Sequence, residues 1–139
     1  MTEPGETLDG AALLETMPFA SKLGIVLDRV TPDEVAGRLA WAQELCTMSG
    51  VMHGGALMSL ADTLGGVCAF LNLPEGANTA TISSSTNFMR AVRSDVTATA
   101  RPLSAGKTVI VVRTEIRDDA GKLVAQVTQA QAVIPARRP

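Results

Sequence analysis

The stretch Gly54-Gly55-Ala56-Leu57-Met58-Ser59-Leu60-Ala61-Asp62-Thr63-Leu64-Gly65-Gly66-Val67-Cys68-Ala69-Phe70-Leu71-Asn72-Leu73 is the only long apolar run in the 139-residue sequence. Within it Leu57, Leu60, Leu64, Val67 and Leu71 recur at helical spacing. Most of the remaining circumference is apolar as well, as expected of a helix wrapped on most sides. The run approaches the length needed to cross a bilayer. It carries Asp62 at its centre, four glycines and no basic flank. A buried core helix over 54–71 is the better reading.

On either side of this helix the pattern changes from a helical period to strands and turns. Upstream, Asp9 is placed to cap a short helix over Gly10–Met17, which Pro18 interrupts, with a further turn over Phe19–Leu23. Extended segments at 25–30 and 35–41 follow, split by Thr31-Pro32-Asp33. Residues 42–53 show no period. Downstream come four strand-like runs, near 79–90, 95–102, 107–117 and 122–134. Ser104-Ala105-Gly106 and Asp118-Asp119-Ala120-Gly121 supply turn chemistry between them. In the third run Ile110, Val112 and Ile116 alternate with Arg113, Glu115 and Arg117, the pattern of an antiparallel strand with one face in water. Sequential hairpins favour an antiparallel sheet, whose apolar face has one helix available to cover it. The expected fold is α+β, a curved antiparallel sheet around one long helix, in a single domain over 1–139 with residues 1–8 as a flexible N-terminus.

Composition narrows the function classes. Hydrophobic residues make up 46% and charged residues 19%, an ordinary globular mixture. A chain of this length buries roughly two-thirds of its unfolded surface, so it needs no disulfide or structural metal. With three Phe, one Trp and no Tyr, the core must be aliphatic. A net charge of −2 and a pI of about 5.3 argue against nucleic acid as a partner. Cys46 and Cys68 match no CxxC pattern and read as reduced thiols, and MTEPGETLDG has no apolar leader. The expected setting is the cytoplasm, with no membrane association.

Two features carry chemistry. His53-Gly54-Gly55 stands where the helix begins, and the first turn of a helix offers unpaired N–H groups and partial positive charge. Glycines there let a ligand approach the backbone, and such N–H groups stabilise a carbonyl oxygen becoming an oxyanion. Close chain packing explains the glycines equally well when they are taken alone. Asp62 follows nine residues after His53 in an apolar run, where a carboxylate needs a partner. Gly55, Met58, Ser59, Gly65, Gly66 and Ala69 are its helical neighbours, mostly small, so Asp62 fits a cleft; a carboxylate bonded to a backbone N–H or to Ser59 is the alternative. With HGG upstream, the functional reading is favoured.

The segment Gly50-Val51-Met52-His53-Gly54-Gly55-Ala56-Leu57-Met58-Ser59-Leu60-Ala61-Asp62-Thr63 resembles the signature of hotdog-fold thioesterases of the phenylacetate-pathway (PaaI-like) type: HGG, then an acidic residue nine positions after the His. Asn87-Phe88-Met89-Arg90, Gly106-Lys107 and Asp119-Ala120-Gly121-Lys122-Leu123-Val124-Ala125 resemble later segments of that family. The likeness spans roughly residues 20–134, and it is specific for the family but not for the substrate. It implies an acyl-CoA substrate, no cofactor, and a homodimer or dimer-of-dimers tetramer with sites shared between subunits. It further implies Gly54 N–H as the carbonyl-polarising donor, His53 shaping that corner, Asp62 as base or nucleophile, and Thr81 as a hydroxyl positioning water or the carboxylate. Gly55, Ser59, Gly66, Arg90 and Lys107 are the candidate substrate contacts. One departure stands out. Six residues before the His, relatives often carry Asn or Gln where this chain has Thr47, which offers one hydroxyl instead of an amide.

Other chemistries fit poorly. Ser83, Ser84 and Ser85 lack a GxSxG elbow and a second His. The cysteines read as small hydrophobes, and one His gives no zinc site. Arg90, Arg93, Lys107, Arg137 and Arg138 read as solvated charges, some of them suited to coenzyme A phosphates. The rival readings are a dehydratase or hydratase on the same fold, and a non-catalytic acyl-CoA-binding module.

Overall fold

The computed structural model describes residues 7–137. Two short helices, α1 (Gly10–Glu15) and α2 (Pro18–Leu23), lead into strands β1 (Val26–Val30) and β2 (Val35–Leu39). Two 3-10 turns, Gln43–Leu45 and Met48–Gly50, approach the long helix α3 (Gly54–Leu71). Strands β3 (Asn78–Phe88), β4 (Val96–Ala105), β5 (Val109–Arg117) and β6 (Leu123–Ile134) complete the chain. Of the stretch expected to be a flexible N-terminus, residues 1–6 lie outside the described residues. Leu8 within it donates its N–H to the Val30 carbonyl at 2.9 Å. Asp9 caps α1 as expected, accepting from Ala11 N–H and Ala12 N–H at 3.0 and 3.3 Å.

α3 begins and ends where its sequence dictates. The His53 ring accepts the Gly55 N–H at the N-cap. At the other end the Asn72 amide donates to the Pro32 and Cys68 carbonyls, both at 2.8 Å, fixing the helix against the loop between β1 and β2. Leu57, Leu60, Leu64 and Val67 bury one face against the sheet, meeting Leu39, Ala98, Ala100, Ile110, Val112 and Val127. Truncating such a buried leucine to alanine typically costs about 2–5 kcal/mol. α3 is long and apolar enough to span a membrane, but half of that stretch is buried inside the fold.

The sheet has six antiparallel strands in the order β1-β2-β4-β5-β6-β3. The antiparallel sheet around one long helix expected from the pattern is thus present, as the hotdog fold implied by the resemblance, with one departure from sequential pairing. β3 does not form a hairpin with β4. It crosses to β6 and becomes the free edge, while β4 continues from β2. β4 also runs three residues past Pro102, into the expected turn. A bulge between Pro102 and Ser104 resets the register there, one of the few places a sheet tolerates proline. The alternation expected in β5 holds, with Ile110, Val112 and Ile116 fully buried and Arg113 and Arg117 exposed.

α3 is covered on one side only. Met58, Asp62 and Phe70 are exposed, and Gly55, Ser59, Thr63 and Gly66 are half-buried. These positions recur at three- and four-residue spacing and form one stripe along the helix. β3, beside the same edge, is exposed along nearly its whole length, with Ile82 and Phe88 in the open.

Candidate active site

At the head of α3, His53 Nδ1 accepts the Gly55 N–H at 2.8 Å, which fixes the ring as the acceptor at that nitrogen. The Ala56 N–H bonds back to the His53 carbonyl at 2.9 Å. That leaves the Gly54 N–H with no acceptor among the described residues. A side chain at position 54 would meet the Phe88 ring at 3.1 Å. Gly54 lines a cavity of about 400 Å³ together with Thr47, Leu57, Phe88 and Arg90. The Thr47 N–H donates to the Val51 carbonyl at 2.8 Å, and its hydroxyl bonds to no described residue.

Asp62 stands two turns further along the open stripe, at the wall of a larger cavity of about 660 Å³. Leu13, Met17 and Phe19 from α1 and α2, Val67 and Phe70 from α3, and Thr79 from β3 also line it. Among the described residues, Asp62 is the only charged side chain in that lining. Its Oδ1 accepts from Gln129 Nε2 at 2.8 Å. Gln129 comes from the middle of β6 and is fully buried. The alternative partner is excluded, because Ser59 Oγ donates to the Gly55 carbonyl and Thr63 Oγ1 to the Ser59 carbonyl, both at 2.8 Å.

The remaining candidates distribute as follows. His53, Gly55 and Ser59 share a third cavity of about 370 Å³ with Phe19 and Cys46. Gly66 lies with Asp62, and Arg90 and Thr47 lie with Gly54. On β3, Thr81 exchanges hydrogen bonds with the buried Gln131, accepting from Nε2 at 2.9 Å and donating to Oε1 at 3.2 Å. Thr79, two residues earlier, is the hydroxyl that lines the Asp62 cavity. Lys107 sits in the β4–β5 turn, at the end of the sheet opposite Arg90, so one chain does not bring these two cations together. Sequence reasoning missed Gln129. Its signal was a glutamine in the inward register of β6, between Val127 and Gln131. Among the described residues, no three His, Cys, Asp or Glu side chains gather as metal ligands would.

Gly54 and Asp62 are eight residues apart on a straight helix, about 12 Å along its axis. A reacting carbonyl must lie about 3 Å from both its oxyanion donor and the attacking group. The two halves on one chain therefore cannot serve the same carbonyl.

Comparison with known proteins places the fold in a family. The pattern of the "Thioesterase superfamily" matches residues 49–125, a range that includes His53, Gly54 and Asp62. A crystal structure of a thioesterase from Haemophilus influenzae superposes with a TM-score of 0.88 at 28% identity, covering 99% of this chain and 98% of that one. The PaaI protein of the E. coli phenylacetic acid degradation operon shares the fold, with a TM-score of 0.82 at 24% identity and 91% coverage of each chain. A Mycobacterium tuberculosis protein provisionally described as an esterase is 31% identical over 120 residues, 84% of this chain and 86% of its own length. With HGG at the head of the core helix and an acidic residue nine positions after the His, on the fold these proteins share, the chain belongs to the thioesterase superfamily of hotdog-fold hydrolases.

Proposed function

We propose that this protein hydrolyses an acyl-CoA thioester to a free carboxylic acid and coenzyme A, in the cytoplasm, as a homodimer or pair of dimers with each site built from two chains. The observation that carries the reading is the pairing of an open Gly54 N–H with an anchored Asp62 carboxylate on one exposed helix face. The 12 Å gap between them supports a second copy supplying the missing half. So does β3, an eleven-residue uncharged edge strand without Lys or Pro; such an edge is a template for pairing with another chain.

In this arrangement Gly54 N–H of one chain polarises the thioester carbonyl, with the partial positive end of α3 behind it. Asp62 of the other chain attacks that carbon to give a mixed anhydride, which water then hydrolyses to the free acid and the restored carboxylate, or takes a proton from an attacking water. Both routes expel the coenzyme A thiolate, a good leaving group that needs no metal. Arg90, in the Gly54 cavity, suits a phosphate of coenzyme A. The Asp62 cavity, lined mainly by apolar side chains with a few Thr and Asn groups and, among the described residues, no cation, suits an uncharged aryl or medium-chain acyl group and disfavours one ending in a second carboxylate. Two separate, unpaired thiols suit a reducing compartment.

The test is thiol release over a panel of acyl-CoA esters, with Asp62→Asn beside the wild type. Turnover of at least one uncharged acyl-CoA without added metal is expected. Asp62→Asn should fold and lose about 10²- to 10⁴-fold in kcat, the usual effect of removing a general base. No turnover across the panel, activity abolished by a chelator, or near-normal kcat in Asp62→Asn would refute the reading.

A further inference from the structure

We infer that Gln129 is the positioning residue for the reactive carboxylate and that Gly65 is its seat; this rests on the reading of Asp62 as base or nucleophile. Asp62 stands on the open side of α3, exposed along the stripe that one chain leaves uncovered. A short carboxylate on such a surface samples several rotamers, and nothing else on α3 holds it, because the Ser59 and Thr63 hydroxyls are turned onto helix carbonyls. The single described hydrogen bond to it comes from across the core. Gln129 Nε2 donates to Oδ1 at 2.8 Å, and no described residue donates to Oδ2. One oxygen is thus anchored while the other, on a residue that lines the cavity, has no described donor and remains available for attack or for a water proton.

Gln129 is well built for this task. It lies mid-strand in β6, paired with Val112 of β5 on one side and Ser84 of β3 on the other. It is 0% exposed, so its backbone and stem are fixed by the sheet. Its carboxamide occupies the space that a side chain at position 65 would take: a Cβ there would lie 2.8 Å from Gln129 Cδ and closer still to Oε1. Glycine at 65, in the middle of a helix, is explained by this seat. Gln129 Oε1 is buried and bonds to no described residue. The amide is therefore not held by a network of its own, and its only directed contact is the carboxylate. A hydrogen bond to an ionised group is roughly twice as strong as a neutral one. Displacing a reacting group by about 1 Å can cost 10²-fold in rate.

Two variants test the inference by independent routes. Gln129→Met keeps the length of the side chain and removes the donor. Gly65→Ala leaves Gln129 in place but pushes its carboxamide off the carboxylate, and alanine is the better helix former. Both are assayed on the best acyl-CoA of the panel, with melting temperature and native mass measured alongside. The expected result is folded, normally assembled protein in both cases, with kcat lowered about tenfold or more and KM within about threefold of wild type, the signature of a contact that matters in the transition state. Near-normal kcat in either variant, or a loss carried by KM, overturns the inference. So does loss of folding in both, which assigns Gln129 to packing; if one fails to fold, the other decides. Near-normal kcat in Asp62→Asn marks failure of the underlying reading instead, and the two failures are therefore told apart.

Discussion

If each site takes Gly54 from one chain and Asp62 from its partner, two dead proteins should make a live one. Gly54→Pro is the suitable partner lesion for Asp62→Asn. Gly54 is the first residue of α3, where proline is favoured because its missing N–H is not part of the helix ladder. His53 already has φ −60° and ψ 136°, the extended conformation required before proline. The ring would press on Phe88, 3.1 Å from a Cβ at 54, but Phe88 is half-exposed and free to rotate. The substitution therefore deletes one N–H and little else, and removing one oxyanion donor costs about 10²- to 10³-fold in kcat. After subunit exchange at equal concentrations, about half of the dimers are mixed, and each mixed dimer has one doubly damaged and one intact site. Recovery of about a quarter of wild-type activity follows from the twofold symmetry. The assay is thiol release from the mixture before and after exchange under mild denaturant, with native mass recorded. No recovery despite demonstrated exchange, or full activity in an isolated monomer, would refute the shared site.

Two further outcomes follow from single side chains. Thr47 lines the Gly54 cavity with an unbonded hydroxyl, so Thr47→Ala should change kcat/KM by less than about tenfold, or 1.4 kcal/mol, and Thr47→Asn should be tolerated; steady-state kinetics would refute this if Thr47→Ala lost as much kcat as Asp62→Asn. Burial, aided by the Asp33 carboxylate, pushes the Cys68 thiol from its ordinary 9.0 up to about 11. Below pH 9 both states hold the proton, and between about 9 and 11 the unfolded chain gives it up first. Stability should therefore fall as pH rises through that window, with a shallower slope in Cys68→Ala, as read by denaturant unfolding at pH 8 and 10; equal slopes would count against it.

What the sequence made legible follows from how local each signal is. α3 was readable to the residue because its apolar period, its His-Gly-Gly start and its Asn72 end all lie within one segment. The alternation of β5 was readable for the same reason. The place of β3 was not, since its partner β6 lies beyond two intervening strands and β3, at the free edge, buries neither face well enough to show an alternation. The extension of β4 past Pro102 depends on a bulge against β5 that no local rule announces. The candidate residues His53, Gly54 and Asp62 lie within one short motif, which is why they could be named from the sequence. Gln129 is 67 residues from Asp62, and their contact exists only after β6 has packed beneath α3. Thr81, which the resemblance puts beside the carboxylate, bonds to Gln131 within the chain, and Thr79, on the same side of β3, lines the Asp62 cavity.

Two local choices in this fold oppose stability, and both converge on Asp62. A glycine inside a helix costs about 1 kcal/mol relative to alanine, and Gly65 stands mid-helix, fully buried. A buried acceptor without a partner costs about 1–3 kcal/mol, and Gln129 Oε1 is one. Neither helps close the core, which is mostly aliphatic, with Thr114 and Gln131 as other fully buried polar side chains of the sheet. Each makes sense only through the other: the glycine makes room for the carboxamide, and the carboxamide is there to hold the carboxylate. Sequences that break local rules without a structural return usually do so at functional sites. Gln129→Met should then move stability and activity in opposite directions, the protein becoming no less stable while kcat falls. A variant that lost both together would mean that Gln129 is a packing residue and that its bond to Asp62 is incidental.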